Sequence, residues 1–162
     1  MLKSIHTTMI FLLAVSLLAL PGCSPSDRPD GLPTLYPTEI TVIQGGVPLE
    51  GANVVLVGDQ PWAIGGGTDG NGVARIFTHG RFEGAPAGQF SVLVTKSVTE
   101  GAPTQEELDN PSFSGSRGTI YSTVNRQFSV QASTPLTIEI VPGNNSQTFD
   151  VGAAVREAQA RP

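Results

Sequence analysis

The sequence is short of several residue types, and each shortage removes a class of function. Cys23 is the single cysteine in 162 residues, so no intramolecular disulfide can form. Of the two histidines, His6 lies in the N-terminal leader ahead of the apolar run, which leaves His79 for the rest of the chain. One histidine and one cysteine cannot supply the usual nitrogen and sulfur ligands of zinc, so zinc is not expected, and no motif calls for a cofactor. Nucleophilic catalysis needs a base aimed at a serine, threonine or cysteine. No serine here sits in a G-x-S-x-G setting, and a lone histidine at a strand end reads as solvated. Basic residues are few, nine Lys and Arg against 14 Asp and Glu, for a net charge of -5. Without a basic stripe to neutralise phosphates, nucleic acid is not an expected partner. No segment carries a long helical apolar stripe, which argues against a parallel sheet built from alternating strands and helices.

What is present begins at the N-terminus. MLKSIHTTMIFLLAVSLLALPGC places Lys3 ahead of an apolar run from Met9 to Leu20, with small residues before Cys23; that order reads as a secretory signal peptide. The run is about a dozen residues, short of the roughly 20 that a spanning helix needs. Leu20-Pro21-Gly22 ahead of Cys23 resembles a bacterial lipobox, with Pro21 in place of the usual small residue. The resemblance implies that residues 1–22 are a lipoprotein signal peptide and that Cys23, acylated with palmitate-type chains, becomes the new N-terminus. The plainer alternative, a signal peptide followed by a stray thiol, would leave a reactive group outside the cell. Ser24, rather than Asp, resembles the pattern sent onward to the outer membrane. The expectation is therefore an exported protein held to a bacterial membrane by lipid on Cys23, the outer membrane favoured over the inner. Removing 22 of 162 residues leaves 140, enough for one domain.

SPSDRPDGLPT, residues 24–34, has no apolar periodicity, so residues 23–35 read as a flexible tether. From Tyr36 the texture changes. TEITVIQ is roughly alternating and β-branched, GGVPLEGA reads as a turn, and NVVLVG as a strand buried on both faces that forms a hairpin with the first. A short strand at Ala63–Ile64, a turn, and a strand over 73–78 follow, then a turn-rich RFEGAPAG. QFSVLVTK alternates with period 2, placing Phe90, Val92 and Val94 on one face. Residues 100–117 read as a long acidic loop with one helical turn near Glu106. GTIYSTV, PLTIEIV, with Leu136, Ile138 and Ile140 inward, and SQTFDV complete the strands, and residues 152–162 read as a tail that forms a short helix or frays. About seven short strands at such spacing predict an all-β antiparallel sandwich over residues 36–151.

The stretch GGGTDGNGVARI, residues 65–76, is the one place where a ligand loop is a serious alternative. An EF-hand starting at Asp69 would need oxygen ligands at positions 1, 3 and 5, a glycine at 6 and a glutamate at 12. Asn71 fits position 3, but Val73, Ala74 and Gly80 occupy positions 5, 6 and 12. A phosphate loop would need a following Lys or a helix, and ARIFT is strand-like. The stretch reads as a turn in which Asp69 bonds its own backbone while Gly70, Asn71 and Gly72 accept positive φ. A weak calcium site shared with Asp59 stays open. Glu106, Glu107 and Asp109 read as a solvated acidic loop. Trp62, Tyr36 and Tyr121 are candidates to stack on a sugar, Trp62 first among them, although a hydrophobic plug over one end of the sandwich is the plainer role for it.

The pieces taken in order resemble the carboxypeptidase regulatory-like domain, a transthyretin-like sandwich with immunoglobulin-like layering. ITVIQGGVPLEGANVVLV resembles that family's opening strand, turn and second strand. TDGNGVARI resembles its Thr-Asp-x-x-Gly hairpin, GAPAGQFSVLVTK its strand entry, and TPLTIEIVPGNNSQTFDV its closing pair. The resemblance implies a seven-strand accessory module without catalytic residues. It points to a non-enzymatic, lipid-anchored envelope protein serving structure or protein contacts, with a carbohydrate-binding surface module as the alternative. The partner would be an envelope protein or a glycan.

Overall fold

The computed structural model describes residues 28–112, 114–115 and 118–159. The signal peptide expected over residues 1–22 and the lipid site expected at Cys23 lie outside them. The chain divides into two units, Met1–Leu32 and Pro33–Pro162. In the described part of the first, Leu32 N donates to Pro29 O to close a turn. The second is an all-β sandwich.

One layer is a six-stranded sheet in the order β13 (Thr137–Ile140), β10 (Gly88–Thr95), β4 (Asn53–Val57), β5 (Ile64–Gly67), β7 (Phe77–Thr78), β8 (Phe82–Glu83). The other is built on β2 (Thr38–Gln44), which pairs with β14 (Asn145–Asp150), β3 (Val47–Pro48) and β6 (Val73–Arg75). Two smaller sheets complete the unit: β1 (Leu35–Tyr36) with β9 (Ala85–Pro86), and β11 (Ser97–Glu100), β12 (Thr119–Ser122) and β15 (Glu157–Ala158). A single helical turn, α1 (Gln105–Leu108), stands between β11 and β12.

The period-2 pattern of the sequence becomes the core. Ile40 and Val42 of β2 meet Val54 and Leu56 of β4, Phe90, Val92 and Val94 of β10, and Ile138 and Ile140 of β13, all buried in one cluster. Each such side chain contributes about 1.5–3 kcal/mol on burial, so the expected inward faces of β10 and β13 supply much of the favourable free energy.

Several pairings differ from expectation. Β2 and β4 do not form a hairpin; they lie in opposite sheets. The hairpin partner of β2 is the short β3, with Gln44 opposite Val47, because Gly45 and Gly46 both take positive φ, 60° and 83°, the geometry of a two-residue reversal. Nor is β4 buried on both faces: Val54 and Leu56 are buried while Val55 and Val57 are half-buried. An uninterrupted apolar run does not distinguish the two cases. The sandwich is not wholly antiparallel, since β14 runs parallel to β2. RFEGAPAG supplies β8 and β9 rather than turns alone, Ser97–Glu100 is a strand, and the tail expected to form a helix or fray is extended, with β15 pairing along β12.

The strand expected over 73–78 is two strands. Β6 pairs with β2, and after Ile76 the chain returns to the first sheet, where β7 pairs with β5. Ile76 is fully buried at this crossing; its N–H donates to Thr38 O and its carbonyl accepts from Gly84 N. The crossing explains Gly66, and the close pairing with β4 explains Gly65; the three glycines follow Ile64 in β5 rather than forming a loop. A Cβ on Gly66 would sit 2.1 Å from Arg75 O, and one on Gly65 would sit 2.5 Å from Val54 O. Gly67 would meet nothing nearer than 3.9 Å.

These distances separate two neighbouring substitutions. Gly66→Ala is expected to destabilise by about 1–3 kcal/mol or more, because backbone must move to admit the methyl, whereas Gly67→Ala is expected to change stability by less than about 1 kcal/mol. Urea unfolding of both variants reads the difference; equal losses would mean that the glycines answer to flexibility and not to the crossing.

Candidate functional site

The loop that joins β5 to β6 is a three-residue reversal. Gly72 N donates to Asp69 O at 2.9 Å and Asp69 N to Val73 O at 3.0 Å. The Asp69 carboxylate accepts from Asn71 N and Val73 N, both at 2.9 Å through Oδ1. Of the three residues expected to accept positive φ, only Gly72 does, at 74°. That residue is also pressed against β2: its carbonyl accepts from Val42 N at 2.8 Å, and a Cβ there would lie 2.5 Å from Val42 O. Just before the turn, the buried Thr68 hydroxyl donates to Leu49 O and accepts from Ala52 N. The Thr-Asp-Gly-Asn-Gly string is thus a structural latch, with the Thr68 hydroxyl and the Asp69 carboxylate engaged by backbone.

The Asp69 carboxyl is held below the usual carboxylate range, first by the Val73 N–H, then by the Asn71 N–H, with Arg75 adding a smaller attraction. Asp59 does not join it. Asp59 follows the Leu56 end of β4, which pairs with Ile64, while Asp69 follows the Gly67 end of β5, which pairs with Asn53. The two carboxylates therefore stand at opposite ends of one strand pair. Among the described residues, no three His, Cys, Asp or Glu side chains are grouped to hold a metal ion.

His79 takes positive φ, 55°, and Gly80 follows at 65°, so the pair makes the tight reversal between β7 and β8. Its ring meets Trp62 edge-on, with centroids 5.4 Å apart and planes at 87°. Trp62 is half-buried against the core cluster, and His79 is exposed. Tyr36 also packs on the core. Tyr121 is elsewhere, on β12, under the Arg156 guanidinium at 3.9 Å; Arg156 in turn pairs with Glu100. That pair lowers the Glu100 pKa and raises that of Arg156, but both side chains are exposed, so solvent screens most of the attraction. Backbone pairing of β15 with β12 places it at the end of this sheet, and the Arg156–Glu100 pair spans β12 from above it.

The acidic loop is spent locally as well. Thr104 caps α1, its hydroxyl accepting from Glu107 N, while the Glu107 carboxylate accepts from Thr104 N at 2.8 Å. Asp109 accepts from the Gln105 side-chain amide. Sequence reasoning missed the cleft of about 450 Å³ that Thr95, Ser122, Arg126, Ser129, Glu157 and Gln159 line. No local signal marks it, because its walls come from β10, β12, β15 and a helical turn at Arg126–Ser129 that lie far apart in the chain.

The Asp69 bonds have a signed pH dependence. The folded pKa is depressed, so the carboxylate adds stability above its unfolded pKa, and that contribution is lost as pH falls through the folded value. Asp69→Asn keeps an acceptor oxygen and removes the titration. The variant is expected to be less stable than the parent at pH 7 and to converge on it as pH falls through the folded pKa of Asp69, read by urea unfolding at a series of pH values from neutral into the acid range. A gap that does not change with pH would show that the charge is not engaged.

Compared with protein-family models, with curated proteins and with solved structures, the chain matches none.

Proposed function

We propose that this chain is a non-enzymatic, lipid-anchored protein of the bacterial cell envelope, with the outer membrane favoured over the inner, whose single sandwich serves as a structural or protein-interaction module of the carboxypeptidase regulatory-like, transthyretin-like kind. The observation that carries the reading is a division of labour along the chain. An apolar leader and Leu20-Pro21-Gly22-Cys23 precede a Pro- and Ser-rich tether, and the chain after them forms a sandwich in which Thr68, Asp69, Thr104, Glu107 and Asn145 are engaged in caps, turns and latches. Such a unit presents sheet edges and outer strand faces to its surroundings, and edges are where β-proteins recruit extended partners. No helix among the described residues is long and apolar enough to cross a membrane. In this reading acyl chains on Cys23 hold the protein firmly, since two or more chains are needed for stable attachment.

A second reading, carbohydrate binding through Trp62, draws on the half-exposed indole beside the exposed His79 and on Arg81 lying over the Phe82 ring at 5.7 Å. Against it, much of the indole is committed to the core.

Cys23→Ala is expected to move the protein from the membrane fraction to the soluble fraction after cell lysis; a variant that stays with the membrane overturns the anchor. For the second reading, glycan-array binding by the parent that is lost in Trp62→Ala, with the melting temperature of the variant reported alongside, would displace the interaction reading. Absence of glycan binding by the parent removes it.

A further inference from the structure

The edges of the sandwich are unequally defended. In the parallel pair of β2 and β14, Asn145 N donates to Pro37 O at 2.9 Å and Val151 N to Ile43 O at 3.0 Å. Residues of one parity along β14 therefore face β2 with their amides. Ser146, Thr148 and Asp150, of the other parity, turn their N–H and C=O groups outward, where no strand among the described residues pairs with them. All three residues are exposed. Over Asn145–Asp150 the edge has no proline and no cation, and its one charge is at the end. The opposing layer ends differently: β13 is four residues with Glu139 exposed in its middle, and β8 is two residues long. Charge and brevity are the usual protections of an edge against another chain. They are present at β13 and β8 and missing from β14.

We propose that β14 is the face through which two copies of this chain pair, antiparallel, about a two-fold axis at Thr148, joining their β2-centred sheets into one. The inference rests on the protein-interaction reading above and names its partner. The register follows from the outward groups. With the axis at Thr148, Thr148 faces its own copy and Ser146 faces Asp150 in both directions, so all three outward residues find partners, two N–H···O=C bonds to each pair. An axis at Gln147 or Phe149 matches only two of the three. An axis at Asp150 sets like charges opposite one another, whereas at Thr148 the Asp150 carboxylate meets the Ser146 hydroxyl and the threonines form a favourable cross-strand pair. The contact is self-complementary, as a two-fold interface requires.

The test uses the full chain in its cell. In a hydrogen-bonded antiparallel pair the Cα atoms stand about 5.5 Å apart, inside the disulfide range of about 4.4–6.8 Å. Under mild oxidation, Thr148→Cys is expected to run on a non-reducing gel mainly at twice the mass of the same chain after reduction. The unsubstituted chain, which keeps Cys23, and Glu139→Cys on the other layer are expected to run as single chains. Thr148→Pro removes an outward N–H and leaves the bonds to β2 in place; it is expected to halve the mass measured by sedimentation with no change in far-ultraviolet circular dichroism. A single-chain band for Thr148→Cys, a mixed disulfide with another protein, or equal dimer from Glu139→Cys would each overturn the proposal. Fractionation of the same samples keeps the two readings apart: single chains on the membrane sink the pairing and leave the anchor, and soluble dimers sink the anchor and leave the pairing.

Discussion

The rest of this sandwich depends on one steric contact, the approach of the Gly66 backbone to the carbonyl of Arg75. The chain from Val73 to Thr78 begins in the β2-centred sheet and ends in the sheet of β4 and β10, with Ile76 buried at the crossing. That passage is possible only if β5 brings no side chain to the place where Arg75 passes, and glycine is the residue that brings none. Interiors are packed too densely to leave room for an alternative. The glycines cost backbone entropy, and the buried side chains of both layers offset it.

Around this crossing the polar atoms form a series of small latches. Thr68 ties the loop before β4 to the end of β5, Asp69 closes the reversal after it, and Thr78 donates to Gly84 O where β7 turns toward β8. Asn145 does the same between β13 and β14: its side chain accepts from Val141 N and donates to Val141 O and Gly143 O. Thr68, Thr78 and Asn145 are buried, and a buried polar group left without a partner costs about 1–3 kcal/mol. Residue types that in other settings bind ions or substrates are here consumed in holding turns.

This use of polar groups shapes the functional reading. With these turn residues occupied by their own backbone, the surface offers the cleft at Arg126 and its strand edges, and those edges differ. One layer ends in short or charged strands, the other in the long, nearly uncharged β14. On the β11–β12–β15 sheet Arg156 sits over Tyr121 and pairs with Glu100. Binding through backbone groups at an edge needs little from side-chain identity, which is why the same edge reads so plainly in geometry and so faintly in composition.

The sequence by itself determined the class of the fold, because alternation with period 2 in QFSVLVTK and PLTIEIV dictates which side chains can share a core. It also determined that TDGNG is a turn, since the Asp69 carboxylate reaches its own backbone whatever lies beyond. Pairing was decided elsewhere. NVVLV can lie in either layer on hydrophobicity alone, and only the competition for partners places it beside β10 and leaves β2 to β3, β6 and β14. VARIFT reads as one strand because its residues are extended throughout; the division at Ile76 depends on which neighbour each half meets. VREAQA has the composition of a helix, and the edge of β12 draws its Glu157–Ala158 into a strand. Local chemistry acts over a few residues and is written in the chain, whereas sheet order and free edges arise from contacts between segments dozens of residues apart and exist only once the whole is folded.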